Sequence, residues 1–201
     1  MQLSSIYRIV TPQSVVVVAP MGELQALERA ASEEDMLSVE GFTSSSRRRE
    51  RLSWRALLRS EDPAARVAYL ASGKPTILDS KYKHISVSHC ADMVVVMLSN
   101  EPCGVDVERC DRCFAKVQSR YMSNREQSLS GGELLAGIVW CAKEALYKMA
   151  GREGVDFLRD ITLQSIEPQG EAWHLVADVF GAEVSLQAEM PDAEHILVFT
   201  L

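Results

Sequence analysis

The sequence predicts an α+β protein built from two similar halves, each with an antiparallel sheet and a long helix. Segments in which apolar and polar residues alternate, as in antiparallel strands, occur in both halves of the 201-residue chain. A helix-forming stretch with a tryptophan precedes such strands once around Trp54 and once around Trp140. This repeated order favours two related halves, residues 1–100 and 101–201, over one open doubly wound sheet.

Short elements open the N-terminal half. Residues 6–10 and 14–19 are rich in β-branched side chains and are bounded by prolines, which predicts two strands. Residues 22–31 favour a helix, and Ser32 can cap a further helical turn.

The longest predicted helix of this half begins after the serines at 44–46 and ends near Ser60. One narrow stripe of it carries four arginines: Arg48, Arg51, Arg55 and Arg59. A solvated charged face is one interpretation of the stripe. Because four like charges repel one another, compensation by an anion or by an acidic surface is the other.

A turn and a hairpin complete the N-terminal half. Residues 64–70 lead into a turn at 72–75, marked by glycine and proline. Residues 84–89 alternate in polarity and residues 93–98 are almost continuously apolar, so we expect them to pair as a hairpin.

A further strand is predicted around the acidic pair Asp106 and Glu108. Val105 and Val107 would face one side of this strand and the two acids the other. Residues 109–132 are polar with little apolar periodicity, which predicts a polar helix or a loop.

The helix of the C-terminal half is predicted over residues 133–150, with a glycine stop after it. Trp140, Glu144 and Lys148 are four residues apart and share one face. Taken alone, Glu144 and Lys148 could be an ordinary ion pair on a helix surface. Four alternating segments then predict antiparallel strands: residues 161–166, 172–180, 183–189 and 195–201.

Composition and charge bear on the class of protein. The net charge of −7 argues against a general nucleic-acid binder, whose affinity depends on a cationic surface. No apolar run is long enough to span a bilayer and no signal segment is apparent, so we expect a cytoplasmic protein without a membrane partner. Its five cysteines are expected to be reduced. Cys110 and Cys113 have C-x-x-C spacing, which we interpret as coincidence because no second ligand pair exists.

The acidic pair is a candidate metal site. Asp106 and Glu108 would lie about 7 Å apart along their strand. Carboxylates this close raise each other's pKa unless a cation neutralises them. Oxygen ligands of this kind suit Mg²⁺, and Glu144 is the candidate for a third carboxylate. In isolation, the pair could equally be an exposed acidic edge.

Basic and polar residues are candidates for binding phosphate. Lys143 and Lys148 lie beside Glu144 and would counter phosphate charge. Further candidates are the arginine stripe and three residues near the predicted turn and hairpin: Lys74, Ser88 and His89. With the carboxylates, they predict a metal-bound pyrophosphate site, and no Walker loop or dinucleotide glycine fingerprint competes with it.

These residues resemble the signature of a known family. Residues 104–108 (GVDVE), followed by residues 140–148 (WCAKEALYK), are similar to the paired motifs of the 4′-phosphopantetheinyl transferases. Upstream, residues 73–75 (GKP) and 85–89 (ISVSH) resemble further motifs of the larger branch, in which two halves of one chain pack as a pseudo-dimer. The resemblance rests on four motifs in order and covers residues 73–148.

The resemblance implies transfer of the 4′-phosphopantetheine arm of coenzyme A to a serine of an apo carrier protein, with release of 3′,5′-ADP. Asp106, Glu108 and Glu144 would hold Mg²⁺ on the pyrophosphate. Glu144 would also be the base for the serine hydroxyl, directly or through a water held by the metal. Lys148 would pair with the phosphate and steady the leaving group.

The resemblance also implies a coenzyme A site in the N-terminal half. Ser88 and His89 would contact the 3′-phosphate and pyrophosphate region, and Lys74 and Pro75 the adenine side. The start of the basic helix would grip the 3′-phosphate through Arg48, with Arg47 or Arg51.

Some alternatives stay open at the level of sequence. Another Mg²⁺-dependent nucleotide enzyme could use the same carboxylates, and a non-catalytic module that binds carrier proteins could retain the fold. The identity of the carrier is open, although residues 109–132 are where a family member would meet it. We expect a monomer, because two halves in one chain would supply both walls of the site.

Overall fold

Two compact units divide the chain, at residues 1–101 and 102–201. The computed structural model describes residues 6–201. Each unit combines antiparallel strands with one long α-helix, so the predicted α+β class is confirmed. None of the described helices is long and apolar enough to cross a bilayer.

The described residues of the N-terminal unit form six strands and three α-helices. In chain order these are β1 (Tyr7–Val10), β2 (Ser14–Pro20), α1 (Leu24–Ala30), α2 (Glu33–Leu37), α3 (Ser45–Glu61), β3 (Arg66–Tyr69), β4 (Pro75–Leu78), β5 (His84–His89) and β6 (Met93–Ser99). Four strands form an antiparallel sheet in the order β1-β2-β6-β5, and β3 pairs with β4 in a separate sheet.

Helix α3 covers one face of the larger sheet of this unit. Its Trp54, Leu57 and Leu58 are buried in a core with valines of β2 and β6. Every residue of β6 is buried, which explains why its sequence is almost continuously apolar rather than alternating. The predicted hairpin is confirmed, since β5 and β6 pair antiparallel.

The ends of these helices follow the predicted capping residues. The Ser44 hydroxyl accepts a hydrogen bond from the Arg47 N–H at 3.3 Å, which begins α3. Ser32 and Asp35 cap α2 reciprocally in a capping box. Strand β4 was not predicted, because it has only four residues and a proline at its start. The predicted turn closes the β3–β4 hairpin.

The arginine stripe of α3 is compensated inside the unit. Arg55 is only 4% exposed and forms ion pairs with Asp35 at 2.5 Å and Glu34 at 2.8 Å. Arg59 also pairs with Asp35. The stripe is therefore not a solvated face, and the acidic surface that neutralises its C-terminal part belongs to α2 of the same chain.

The C-terminal unit forms five strands and one α-helix. These are β7 (Val105–Arg109), α4 (Leu135–Ala150), β8 (Ile161–Gln169), β9 (Ala172–Val179), β10 (Ala182–Asp192) and β11 (His195–Thr200). The strands form one antiparallel sheet in the order β7-β11-β10-β9-β8. Four short 3₁₀-helices connect β7 to α4, in the polar segment that was predicted to be a helix or a loop.

Helix α4 packs against β7 and β11 at the edge of this sheet. Its residues Ile138, Ala142 and Leu146 are fully buried in the core of the unit. Gly151 ends the helix in the left-handed conformation, with φ of 60°, and its N–H donates to the Tyr147 carbonyl. The predicted glycine stop is confirmed. The packing of α4 on β7 brings the two C-terminal sequence motifs together.

Candidate active site

Gly104 allows β7, the strand of Asp106 and Glu108, to lie close to α4. A Cβ atom at this position would lie 1.8 Å from the Ala145 carbonyl oxygen of α4. Only glycine therefore permits this separation between the start of β7 and the helix backbone. Asp106 follows two residues later on the strand, opposite the turn of α4 that carries Glu144 and Lys148.

Asp106 is held by a lysine from α4. The Lys148 ammonium donates to Asp106 Oδ1 at 2.7 Å and to the Val105 carbonyl at 3.0 Å. Asp106 is 4% exposed, whereas a quarter of the Lys148 side chain is exposed. The Lys148 ammonium therefore lies between the buried Asp106 carboxylate and the surface of the unit.

Glu108 contacts two residues, one on α4 and one in the turn that follows β7. The Trp140 indole N–H donates to Glu108 Oε1 at 3.3 Å. Arg112 forms an ion pair with the same oxygen. The shared face of α4 predicted from its spacing therefore presents Trp140, Glu144 and Lys148 toward the acidic strand.

Glu144 lies in an environment that disfavours its charge. Burial raises the pKa of this carboxyl, and the negative charge of Asp106 raises it further. Lys148 and Arg112 oppose that rise. The helix carboxylate and the strand carboxylate are therefore electrostatic neighbours, as the combination of two distant motifs had predicted.

The chemistry of this donor set fits a divalent cation. A doubly charged ion would remove the repulsion that raises the pKa of Glu144, and Mg²⁺ prefers carboxylate oxygens. In the described part of the chain, oxygens of Asp106, Glu108 and Glu144 do not all lie within 4.8 Å of one another. Lys148 and Arg112 each neutralise one of the strand carboxylates instead.

Lys143 does not face this group of residues. Its side chain is completely buried, and its ammonium contacts Glu126 Oε1 at 2.7 Å and the Phe157 carbonyl at 2.6 Å. Burial lowers the pKa of Lys143, and the hydrogen bond that its ammonium donates to Glu126 opposes this shift. The expectation that Lys143 counters phosphate charge is therefore not retained: a fully enclosed ammonium cannot reach a ligand without breaking this pair.

Glu126 is a buried residue that the sequence analysis missed. It is 1% exposed and accepts hydrogen bonds from the Ser123 N–H and hydroxyl and from the Leu163 N–H, all at 2.8–2.9 Å. With Lys143, it ties the irregular segment after β7 to α4 and β8. Its surroundings in the sequence are polar, so no periodicity marked it as a core position.

The candidate residues at the start of α3 differ in their environment. The Arg48 guanidinium donates to Glu28 at 2.6 Å and to the Val39 carbonyl at 2.9 Å, so it holds α1 and the residue-39 loop against α3. Arg47 is exposed. Arg51 donates to the Tyr69 hydroxyl and lies over the Phe42 and Tyr69 rings.

The remaining candidates lie on the sheets of the N-terminal unit. Lys74 and Pro75 lie at the β3–β4 turn, where the Lys74 carbonyl accepts a hydrogen bond from the Leu70 N–H at 3.0 Å. Ser88 is buried near the end of β5. His89 ends that strand, with its Nε2 atom 3.7 Å from a carboxylate oxygen of Glu50.

A pocket of about 420 Å³ adjoins the Trp140 side of the C-terminal site. Three aromatic side chains line it: Tyr121, Trp140 and Phe157. Tyr121 and Trp140 pack edge to face with ring centroids 5.0 Å apart. The aromatic residues Tyr121 and Phe157 are far from each other in sequence, which is why no motif grouped them.

An acidic strand packed on a helix that carries a carboxylate and a lysine defines a site suited to phosphoryl-type transfer. Residues 102–195, which include this strand and helix, match the model of the 4′-phosphopantetheinyl transferase superfamily. The match covers the C-terminal unit, which is thus similar to this superfamily, whose general activity is phosphopantetheine transfer. No curated protein matches the sequence.

Proposed function

We propose that this protein transfers the 4′-phosphopantetheine arm of coenzyme A to a serine of an apo carrier protein, giving a holo carrier protein and 3′,5′-ADP. The observation that carries the proposal is the juxtaposition of Asp106, Glu144 and Lys148 within the residues that match the family. The chain would belong to the pseudo-dimeric branch and act as a monomer, since each of its two units has a sheet and a long helix.

In this proposal, Asp106, Glu108 and Glu144 hold Mg²⁺. The ion would neutralise charge on the pyrophosphate of coenzyme A and orient it for displacement. The burial of Asp106 and the partial burial that raises the pKa of Glu144 support the assignment, because a divalent cation would stabilise their ionised forms.

The reaction is a displacement at the phosphorus that carries the pantetheine arm. A bond forms between this phosphorus and the carrier serine oxygen, while its bond to the 3′,5′-ADP oxygen breaks. Glu144 accepts the proton of the serine hydroxyl, directly or through a water. The Lys148 ammonium stabilises the negative charge that develops on the leaving phosphate.

Residues of the N-terminal unit would bind the nucleotide part of coenzyme A. Ser88 and His89 are assigned to the phosphates and Lys74 and Pro75 to the adenine side, on the strength of their motifs alone. Arg47 is the better candidate of the arginine pair for the 3′-phosphate, because Arg48 is engaged by Glu28.

Intact-protein mass spectrometry of an apo acyl carrier protein tests the proposal. Incubation with this protein, coenzyme A and Mg²⁺ should add the mass of one phosphopantetheine arm, and a chelator should abolish the gain. The absence of a gain on fatty-acid, polyketide and peptidyl carriers, together with no coenzyme A binding, would contradict it. Coenzyme A binding without transfer would favour a non-catalytic module.

A further inference from the structure

Arg112 lies beside the predicted metal ligands, and the proposed reaction assigns it no role. It lies in the turn after β7, and 39% of its side chain is exposed. No motif of the sequence marks it. Its position is set by three contacts, each with a different residue around the carboxylates.

The Arg112 guanidinium contacts Glu108 and Trp140, which also contact each other. It forms an ion pair with Glu108 Oε1, and its Cζ atom lies 4.6 Å from the centre of the Trp140 ring. Trp140 donates its indole N–H to the same Glu108 oxygen. Phe114 supports the other side, with its ring centre 5.5 Å from Cζ. A planar cation stacked on aromatic rings is held in a defined orientation.

The positive charge of Arg112 affects a second carboxyl besides that of Glu108. It also acts on the neighbouring carboxyl of Glu144, where it opposes the effect of burial. Arg112 therefore supplies positive charge to Glu108 and Glu144, and Lys148 supplies it to Asp106 and Glu144. A group of buried acids without such counter-charges would destabilise the folded unit.

A divalent cation bound at Glu108 would compete with the Arg112 guanidinium for the charge of the same carboxylate. An ion bound at Glu108 would place two positive charges next to the Arg112 guanidinium, and the repulsion would weaken or break the existing ion pair. The exposed side of Arg112 gives it a path into solvent, whereas the buried Lys143 has none.

We propose that Arg112 is an internal counter-cation of the acidic site, and that Mg²⁺ displaces its guanidinium from Glu108 on binding. The inference rests on the proposed function for the assignment of Glu108 as a metal ligand. Arg112 thereby keeps the carboxylates neutralised in the metal-free protein and weakens the affinity of the site for Mg²⁺.

The test is a Mg²⁺ titration of three proteins in the presence of coenzyme A, followed by calorimetry and by tryptophan fluorescence excited at 295 nm. The proteins are the wild type, Arg112→Gln and the matched control Arg109→Gln. Arg109 also lies at the end of β7, but it pairs with Asp111 and Glu194. The control therefore removes the same charge nearby without removing a partner of Glu108.

We expect Arg112→Gln to bind Mg²⁺ about fivefold more tightly than the wild type or Arg109→Gln, the gain typical of removing one competing ion pair. Mg²⁺ should change the fluorescence of the wild type and of Arg109→Gln, because Arg112 leaves the Trp140 ring. The change should be smaller in Arg112→Gln and absent in Trp140→Phe. In the presence of a chelator, Arg112→Gln should have a lower melting temperature than Arg109→Gln. Mg²⁺ should raise the melting temperature of Arg112→Gln by more than that of Arg109→Gln.

Equal Mg²⁺ affinity of Arg112→Gln and Arg109→Gln, or weaker binding by Arg112→Gln, would overturn the inference. If the wild type still modified a carrier protein in that case, the proposed function would stand and only the role of Arg112 would fall. If no variant bound Mg²⁺ or coenzyme A, the proposed function would fall together with the inference.

Discussion

Two lysines of α4, five positions apart, occupy opposite environments. Lys148 keeps a quarter of its side chain exposed beside Asp106, whereas Lys143 is completely enclosed with Glu126. Both lysines lie near Glu144 in the sequence and both were assigned to phosphate, although only Lys148 shares the helix face of Glu144. Their positions around the helix decide the difference, because one side of α4 faces the acidic strand and another faces the segment around Glu126.

Lys143→Met should therefore destabilise the fold rather than act on coenzyme A directly. The substitution leaves the Glu126 carboxylate buried without its cation, which typically costs about 3–5 kcal/mol. Urea denaturation should show this loss, and Lys116→Met, which removes an exposed lysine of the same unit, should change stability by less than about 0.5 kcal/mol. A stable Lys143→Met protein with specifically weakened coenzyme A binding would instead place Lys143 at the ligand.

The residues that the sequence could identify are those whose spacing carried information. Asp106 and Glu108 alternate on a strand, and Glu144 and Lys148 recur on one helix face, so their types and positions were readable before the fold was known. Arg112 and Glu126 lie in an irregular segment without a period. Their roles depend on contacts across the unit, which the sequence does not display.

At the scale of elements, the contact between β7 and α4 determines the geometry of the site. It depends on Gly104, since any side chain there would overlap the Ala145 carbonyl. The strand and the helix were both predicted, with ends within a few residues of those found. Their proximity was implied by the assignment of Glu144 as a third carboxylate, but how closely they pack was not, because it follows from the absence of a side chain at one position.

Gly104→Ala should separate the strand from the helix. The added methyl group must displace backbone rather than a flexible side chain, so we expect a loss on the order of 3 kcal/mol in the free energy of unfolding. Transfer activity should fall in the protein that remains folded, because Asp106 and Glu108 move with the strand. Gly41→Ala is the control, since a Cβ atom there meets nothing within 4 Å. Similar denaturation midpoints for the two variants would refute the argument from close approach.

For helix α3, the sequence identified the arginine stripe but not the acidic residues that pair with it. Its arginine stripe was interpreted either as a solvated face or as a face compensated by an anion or an acidic surface, and the acidic partners are Glu28 of α1 and Glu34 and Asp35 of α2. Those acids lie on the two short helices that precede α3. Charge alone could not decide between a ligand, solvent and these short helices.

At the scale of the whole molecule, one hydrophobic core lies against the four-stranded sheet of the N-terminal unit and another against the five-stranded sheet of the C-terminal unit. The alternating and continuous apolar segments predicted most of their strands, because burial on one or both faces leaves a readable pattern. What escaped prediction is short or aperiodic: β4, the 3₁₀-helices, and the aromatic pocket beside Trp140.

Stability at alkaline pH should report on one buried residue of the C-terminal core. Burial raises the pKa of Tyr121 to about 12, and its hydroxyl donates to the Ala136 carbonyl at 2.9 Å. Above pH 10 the unfolded chain loses this proton while the folded protein retains it, so stability falls as the pH rises. Between pH 9 and pH 11 we expect a loss of about 1 kcal/mol from this residue.

Denaturant unfolding of the wild type and Tyr121→Phe over this pH range measures that contribution. The difference in stability between the two proteins should shrink by the same amount as the pH rises, because phenylalanine has no proton to lose. A difference that stays constant from pH 9 to pH 11 would mean that Tyr121 ionises in the folded protein as it does in the unfolded chain.

The central claim is that Asp106 and Glu144, brought together by β7 and α4, form the active site of a phosphopantetheinyl transferase. The most direct measurement compares the wild type with Glu144→Gln by intact mass of an apo carrier protein after incubation with coenzyme A and Mg²⁺. We predict one added phosphopantetheine arm with the wild type and none with Glu144→Gln, at unchanged fold and coenzyme A binding. Transfer by Glu144→Gln at a rate near that of the wild type would contradict the claim.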